Sequence, residues 1–227
     1  MESLPEFIDA HKEQARCFVT NRRFGVKQGM NEQWMVLLVG FSAYLIGSIP
    51  VGFLVARAKG INIKLVGSGN IGATNITRSL GLFWGATVGV VDFLKGFLPA
   101  LFIQRYFTQD WLVFLLCLLP VIGHIFPLWL NFKGGKGVAT IFGIIAAFFG
   151  LPFFFAFLVI WFIVVKLVNV MSLVNLVMAL LFPLAFWIKF KDLPHVLFGL
   201  ILSLIIWWSH RKNLQRLIAG KENRIAK

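Results

Sequence analysis

Acid is what this sequence has least of: of 227 residues only 9 are Asp or Glu, against 22 Lys or Arg, for a formal charge of +13. Four of those acids, Glu2, Glu6, Asp9 and Glu13, stand near the N-terminus, so the rest of the chain is poorer still. Chemistry that needs a carboxylate pair, or a magnesium ion held by carboxylates, is weakly supported. Cysteine is also scarce. Cys17 and Cys117 lie far apart, one in a polar tail and one in an apolar run, with no Cys or His at ligand spacing. No disulfide, no metal site and no cofactor are expected. Polar stretches are short between residue 33 and the C-terminal tail, where hydrophobic residues dominate; they make up 59% of the whole, with 25 Phe and 8 Trp. A soluble domain of this length cannot bury so much apolar surface, and the chain reads as an all-α polytopic membrane protein. In a soluble protein the basic excess would point to nucleic acid. Here the Lys and Arg residues fall in short loops between apolar runs, where orientation, lipid headgroups and anionic substrates account for them.

Residues 1–33 form a polar tail of mixed charge that is expected to be dispensable, and residues 34–227 form a single membrane-embedded domain. Apolar runs at Trp34–Ala58, Leu80–Phe107, Trp111–Leu130, Val138–Phe149, Phe153–Leu167, Leu173–Ile188 and His195–Ser209 predict about seven transmembrane or partly spanning helices. Pro50, with Gly47, Ser48 and Gly52 around it, should break the end of the first run and pack beneath the polar loop that follows. Residues 60–66, where Ile61, Ile63 and Leu65 alternate with polar neighbours, read as a short extended segment. Seven crossings put the loops after the first, third, fifth and seventh runs on one side. Those loops carry Arg57, Lys59, Lys64, Arg78, Lys133, Lys136, Lys166 and the basic C-terminal tail, against Arg105, Lys189 and Lys191 opposite, so that side is cytoplasmic.

The same side holds every polar node. Val66–Arg78 is a loop with three glycines, the donors Ser68, Asn70, Thr74, Asn75 and Thr77, a single arginine and no carboxylate. It suits an anion, because glycines let successive N–H groups turn towards one point and Arg78 offers a planar fork to phosphate. Gly67–Gly72 also fits G-x-G-x-x-G, but a membrane-length apolar run follows where a dinucleotide fold needs strands and helices. Asn131–Gly137 is a second node. It lacks the first glycine of a Walker A loop and has Gly137 after Lys136, yet Lys136 and nearby backbone N–H groups can grip phosphate at the start of the Val138 helix. Lys166–Ser172 is a weaker third node, and His210–Arg216 opens the tail. Asp92 and Lys95, inside the second run, are three residues apart and read first as an ion pair supporting helix packing. They would also suit the rival reading, a membrane carrier for a phosphorylated metabolite.

Taken together, Gly47-Ser48-Ile49-Pro50, Gly67 to Asn75 with Arg78, Asp92-Phe93-Leu94-Lys95-Gly96, Gly123-His124, Phe132 to Thr140, and His210-Arg211 with Asn213, Arg216, Gly220 and Glu222 resemble one family in order and content. The chain resembles the bacterial acyl-phosphate:glycerol-3-phosphate acyltransferases over about Val39 to Glu222. No His-x-x-x-x-Asp spacing is present, which argues against the other large class of glycerolipid acyltransferases. The resemblance implies a seven-helix enzyme of the bacterial inner membrane with its site facing the cytoplasm. Its reaction would be acyl transfer from acyl phosphate to the 1-position of glycerol 3-phosphate, giving lysophosphatidic acid and phosphate, an early step of phospholipid biosynthesis. Ser68, Arg78, His210 and Asn213 take the catalytic positions. Gly69, Asn70, Thr74, Asn75, Gly134, Gly135, Lys136, Gly137 and Ser172 take the substrate-binding ones. Two groups are open as the base for the acceptor hydroxyl, His210 and the donor's own phosphate; Arg211 and Lys212 beside His210 should disfavour its protonation, which favours the phosphate and leaves His210 to hydrogen-bond phosphate. The partners implied are the two substrates and membrane lipid, with no nucleic acid and no obligate protein.

Overall fold

The structure, a computed structural model, describes residues 30–224, with side chains from residue 33. Most of the expected tail lies outside the described residues, while Met30–Gln33 already belong to the first helix. The helices are α1 (Met30–Ser48), α2 (Val51–Ala58), α3 (Ala73–Leu80), α4 (Leu82–Tyr106), α5 (Asp110–Ile125) and α6 (Val138–Phe149). They continue as α7 (Leu151–Val168), α8 (Met171–Ala179), α9 (Phe182–Phe190), α10 (Leu193–Ser209) and α11 (Arg211–Ile218). Among the described residues five stretches are long and apolar enough to cross a bilayer: Gln33–Ala58, Leu82–Tyr106, Asp110–Leu130, Leu151–Val168 and Met171–Phe190. Helix α10 passes the same test only together with α11, from which it bends by 60°, and α6 is a shorter apolar helix. The seven expected segments are all present among the described residues.

Two helix crossings form the centre, and each is closed by glycines on both partners. Where α4 meets α6, a methyl at Gly96 would overlap the Thr140 carbonyl, and one at Gly143 would overlap the Phe93 carbonyl. Where α1 meets α5, Gly47 lies against the Pro120 carbonyl and Gly123 against that of Tyr44. Between membrane helices hydrophobic attraction is weak, so bare backbone faces that allow close packing supply the attraction. Around these crossings Val121, Ile141, Ile144, Phe198 and Leu202 are sealed in one apolar cluster. By contrast α7 has only 11% of its span buried, leaving it a lipid-facing flank.

Two local expectations fail. Residues 60–66 are not extended; Ile63–Leu65 make a turn of 3-10 helix, because the Asn62 side chain accepts the Lys64 N–H and caps it. The polar loop is also shorter than expected. From Ala73 it winds into α3, whose Ile76 is fully buried against Ile63, Ile71 and Val88, and Gly81 at φ 90° ends the helix before α4 begins. The polar residues hid an amphipathic period in Ile76 and Leu80.

Candidate active site

The first node is built by one side chain. Asn75, buried on α3, accepts the Ser68 N–H at 2.9 Å and donates to the carbonyls of Val66 and Asn70, each at 2.9 Å. Its amide is fully engaged inside the loop, so Asn75, expected to bind substrate, shapes the loop instead. Gly69 sits at φ 69° and closes a turn through its N–H to the Val66 carbonyl at 3.1 Å. That geometry needs glycine. Ser68 is exposed, and its hydroxyl has no partner among the described residues. Thr74 and Asn70 are half-buried beside it. Arg78, three residues past Asn75 on the same face of α3, is exposed and reaches the C-terminal segment by donating from Nη2 to the Arg224 carbonyl at 3.3 Å.

The second node corrects an expectation. The N–H groups of Gly134 and Gly135 do not face outward for phosphate; they donate at 3.0 Å to the carbonyls of Ile125 and His124. Both glycines are there for space, since a methyl at Gly135 would overlap His124 Nε2 and one at Gly134 the His124 carbonyl. The donors left over belong to the first turn of α6, entered through Gly137 at φ 77°. Lys136 precedes that turn. Burial lowers its pKa to about 8, with Glu222 opposing and Arg216 and Arg78 adding to the fall. Glu222, Arg216 and Arg78 are thus near enough to Lys136 for their charges to act on it.

The third node gathers on a carboxylate. Glu222 Oε1 accepts from Asn213 Nδ2 at 2.6 Å and from Ser172 Oγ at 3.0 Å, while Oε2 accepts from Arg216 Nε at 2.7 Å. Burial raises the Glu222 pKa, but these bonds and the Arg216 charge outweigh it and hold the group below its usual value. The start of α8, the helix α11 and the tail are thereby tied together. His210, at the bend between α10 and α11, is 1% exposed. Its Nδ1 lies 2.8 Å from the Ile206 carbonyl, which can only accept, so the proton is on Nδ1 and the lone pair on Nε2. The His210 pKa falls to about 4, first by burial and then by the charge of Lys136, against smaller opposing effects of the Ile206 bond and Glu222. Arg211, expected to be a cause, is turned away over the Trp208 ring at 4.3 Å and donates to the Trp208 carbonyl. Ser209 Oγ donates to the Lys136 carbonyl at 3.0 Å, joining the second node to the third.

Arg78, Lys136, Ser172, His210 and Asn213 thus converge, and sequence reasoning underrated two members, Arg216 and Glu222. Glu222 closes contacts with residues 50 and 9 positions away, a relation that no local spacing displays. A lone acid in an otherwise basic set of loops was the one available signal.

The family described as glycerol-3-phosphate acyltransferase matches residues 37–220. The glycerol-3-phosphate acyltransferase of Aquifex aeolicus is 39% identical over 186 residues, covering 80% of this chain and 95% of that protein. That of Prochlorococcus marinus (strain NATL2A) is 40% identical over 198 residues, covering 84% and 98%. In three dimensions the chain is similar to PlsY (YgiH), an integral membrane glycerol 3-phosphate acyltransferase. The crystal structure of its glycerol 3-phosphate form gives a TM-score of 0.78 at 37% identity, over 84% of this chain and 95% of that one. A lysophosphatidic acid form of the same protein gives 0.76. Matched along most of its length by sequence and by fold, this integral membrane chain is an acyltransferase that belongs to the glycerol-3-phosphate acyltransferase family.

Proposed function

We propose that the chain transfers a fatty acyl group from acyl phosphate to the 1-position hydroxyl of glycerol 3-phosphate, releasing lysophosphatidic acid and inorganic phosphate. The observation that carries this reading is the convergence of Arg78, Lys136 and Arg216 on one end of the helix bundle, around a single carboxylate already engaged by three donors. Two cations beyond the one paired with Glu222 suit two phosphates, one on each substrate. A thioester donor has no phosphate beside its carbonyl and would leave that charge unmatched. The polar nodes gather at one end, and Asp92 and Lys95 are closed on each other, which favours chemistry at a surface over carriage through the bilayer.

Acyl phosphate is a mixed anhydride and already activated, so the site has to hold two anions together and stabilise the oxyanion that forms. The acceptor oxygen bonds to the acyl carbon, the bond from that carbon to the phosphate oxygen breaks, and the hydroxyl proton ends on the departing phosphate. Arg78 and Lys136 hold phosphate, and the Ser68 hydroxyl and the first turn of α6 supply further donors. His210, with its pKa near 4, is too weak a base to keep the proton. A phosphate with a second pKa of ~6 is the better base at neutral pH. The Nε2 lone pair can accept from the acceptor hydroxyl and orient it, a revision of the expected contact with bare phosphate oxygen, which offers no proton. The polar end faces the cytoplasm of a bacterial inner membrane on this reading, with Lys and Arg concentrated there.

Reconstituted vesicles given acyl phosphate and labelled glycerol 3-phosphate test it. Labelled lysophosphatidic acid is the expected product; accumulation of unchanged label inside the vesicles would mean carriage, and activity only with a thioester donor would replace the donor.

A further inference from the structure

A second polar cluster lies deeper, away from the reacting groups, where the first span breaks. Pro50 has no N–H, and the chain between α1 and α2 leaves the Ile49 carbonyl outside either helix. That carbonyl accepts the Val51 N–H at 3.0 Å and, at 2.5 Å, Nζ of Lys95 from α4. Lys95 Nζ also donates to Asp92 Oδ1 at 2.6 Å. His124 of α5 brings Nδ1 to 3.7 Å from the same carboxylate oxygen. All three side chains are at least 94% buried. A small crevice is walled by Ser48, Ile49, Ile71, Asp92, Lys95 and His124.

What surrounds the cluster gives it a purpose. Just past the break, Gly52 lies so close to the Ile71 carbonyl that a methyl there would overlap it, so the break carries the Val66–Gly72 loop directly. On the other side the ring of His124 fills the space left by Gly135, and the Thr140 hydroxyl donates at 3.0 Å to the backbone carbonyl of Asp92. The height of the first loop is therefore set through Ile49, and that of the second through His124 and Thr140, against one shared ion pair.

We infer that Lys95, held by Asp92, is a positioning residue for acyl transfer: by gripping the Ile49 carbonyl it fixes the loop of Ser68 and Arg78 at the height of Lys136. A plain ion pair for helix packing would need no such bond. Losing the grip leaves both loops intact but out of register, so the defect falls on turnover more than on folding, and reacting groups displaced by about 1 Å can cost on the order of 100-fold.

The test keeps charge balanced, because removing one partner of a buried pair destabilises by itself. Asp92→Asn with Lys95→Met has no donor at position 95, and Asp92→Asn with Lys95→Gln has one. Each is made in the full chain with Cys17→Ser, reconstituted in vesicles, and compared for thermal unfolding, kcat, KM and the distance between spin labels at Leu65→Cys and Phe132→Cys, exposed residues of the two loops. The Met variant should melt near the parent and lose roughly 10- to 100-fold in kcat, with a smaller change in KM and a shifted or broadened label distance. The Gln variant should stay within about tenfold. A Met variant with unchanged kcat and distance, whatever its melting point, overturns the inference. If the Met variant does not accumulate, the Gln variant decides: accumulation with kcat below roughly one hundredth of the parent also overturns it. The inference rests on acyl transfer as the function, yet the label distance needs no donor. A parent protein inactive with acyl phosphate would therefore count against the proposed reaction alone.

Discussion

Among the described residues two carboxylates gather cations, one between helices of the bundle and one at its polar end. Asp92 is sealed between α4 and α5, and its partner Lys95 comes from its own helix, one turn away. Glu222, in the tail at the polar end of the bundle, takes its donors from two other segments, the start of α8 and the helix α11. A sealed pair can only fix backbone, since nothing from outside reaches it. A carboxylate that joins distant segments at the polar end can hold a pocket in shape while its neighbours, Lys136 and Arg78, remain available to an anion. The contrast separates scaffold from site in a chain where both are made of the same few charged residues.

Glu222→Ala should give the largest effect. Three donors lose one acceptor, and charge-assisted bonds are worth ~1.5–3 kcal/mol each, so a loss of about 100- to 1000-fold in kcat/KM is expected with little change in thermal unfolding. A drop in melting temperature that accounts for the loss would make Glu222 a support of the whole fold rather than of the pocket.

Lys136→Ala should lower kcat/KM by roughly 10- to 100-fold for one of the two substrates. Steady-state kinetics against each substrate identify which phosphate it holds. The lowered Lys136 pKa has a further consequence. The charge is present below about pH 8 and is lost as pH rises through it, so kcat/KM of the parent should fall on the alkaline side near that value. Lys136→Arg should move that limb to higher pH, because guanidinium does not deprotonate there.

His210→Gln should cost about tenfold and keep the acidic limb near the phosphate pKa of ~6. Disappearance of the limb, with a loss approaching ~1000-fold, would make His210 the base. Arg78→Lys should have the smallest effect, a reduction of several-fold, since charge stays while the fork is lost. It should leave both limbs where they are.

Much of the fold was legible because membrane spans announce themselves as unbroken apolar runs, and the breaks at Pro50 and Gly150 are marked by the residues that cause them. The convergence of Arg78, Lys136 and His210 followed from counting crossings. What was not legible depends on contacts between distant segments. The N–H groups of Gly134 and Gly135 looked like phosphate donors until the ends of α5 appeared beside them. Asn75 looked like one more donor in a polar loop, and only folding shows its amide turned inward. Helix α3 was concealed by its own polarity, its buried face resting on Ile76.

The 60° bend between α10 and α11 bears on how the proposed substrates would reach the site. A membrane-crossing helix turns at His210 into one with Arg211, Lys212 and Arg216 on it and Ile218 81% exposed, the make-up of a helix lying among lipid headgroups. That make-up would set Asn213 and Arg216 in the plane of the interface. On the proposed reaction a lipid-borne donor arrives by diffusion in two dimensions, and a water-soluble acceptor in three. The rate should accordingly follow the donor's mole fraction in the bilayer rather than its bulk concentration, and diluting the donor with inert lipid should slow turnover even when the amount of donor in the tube is unchanged.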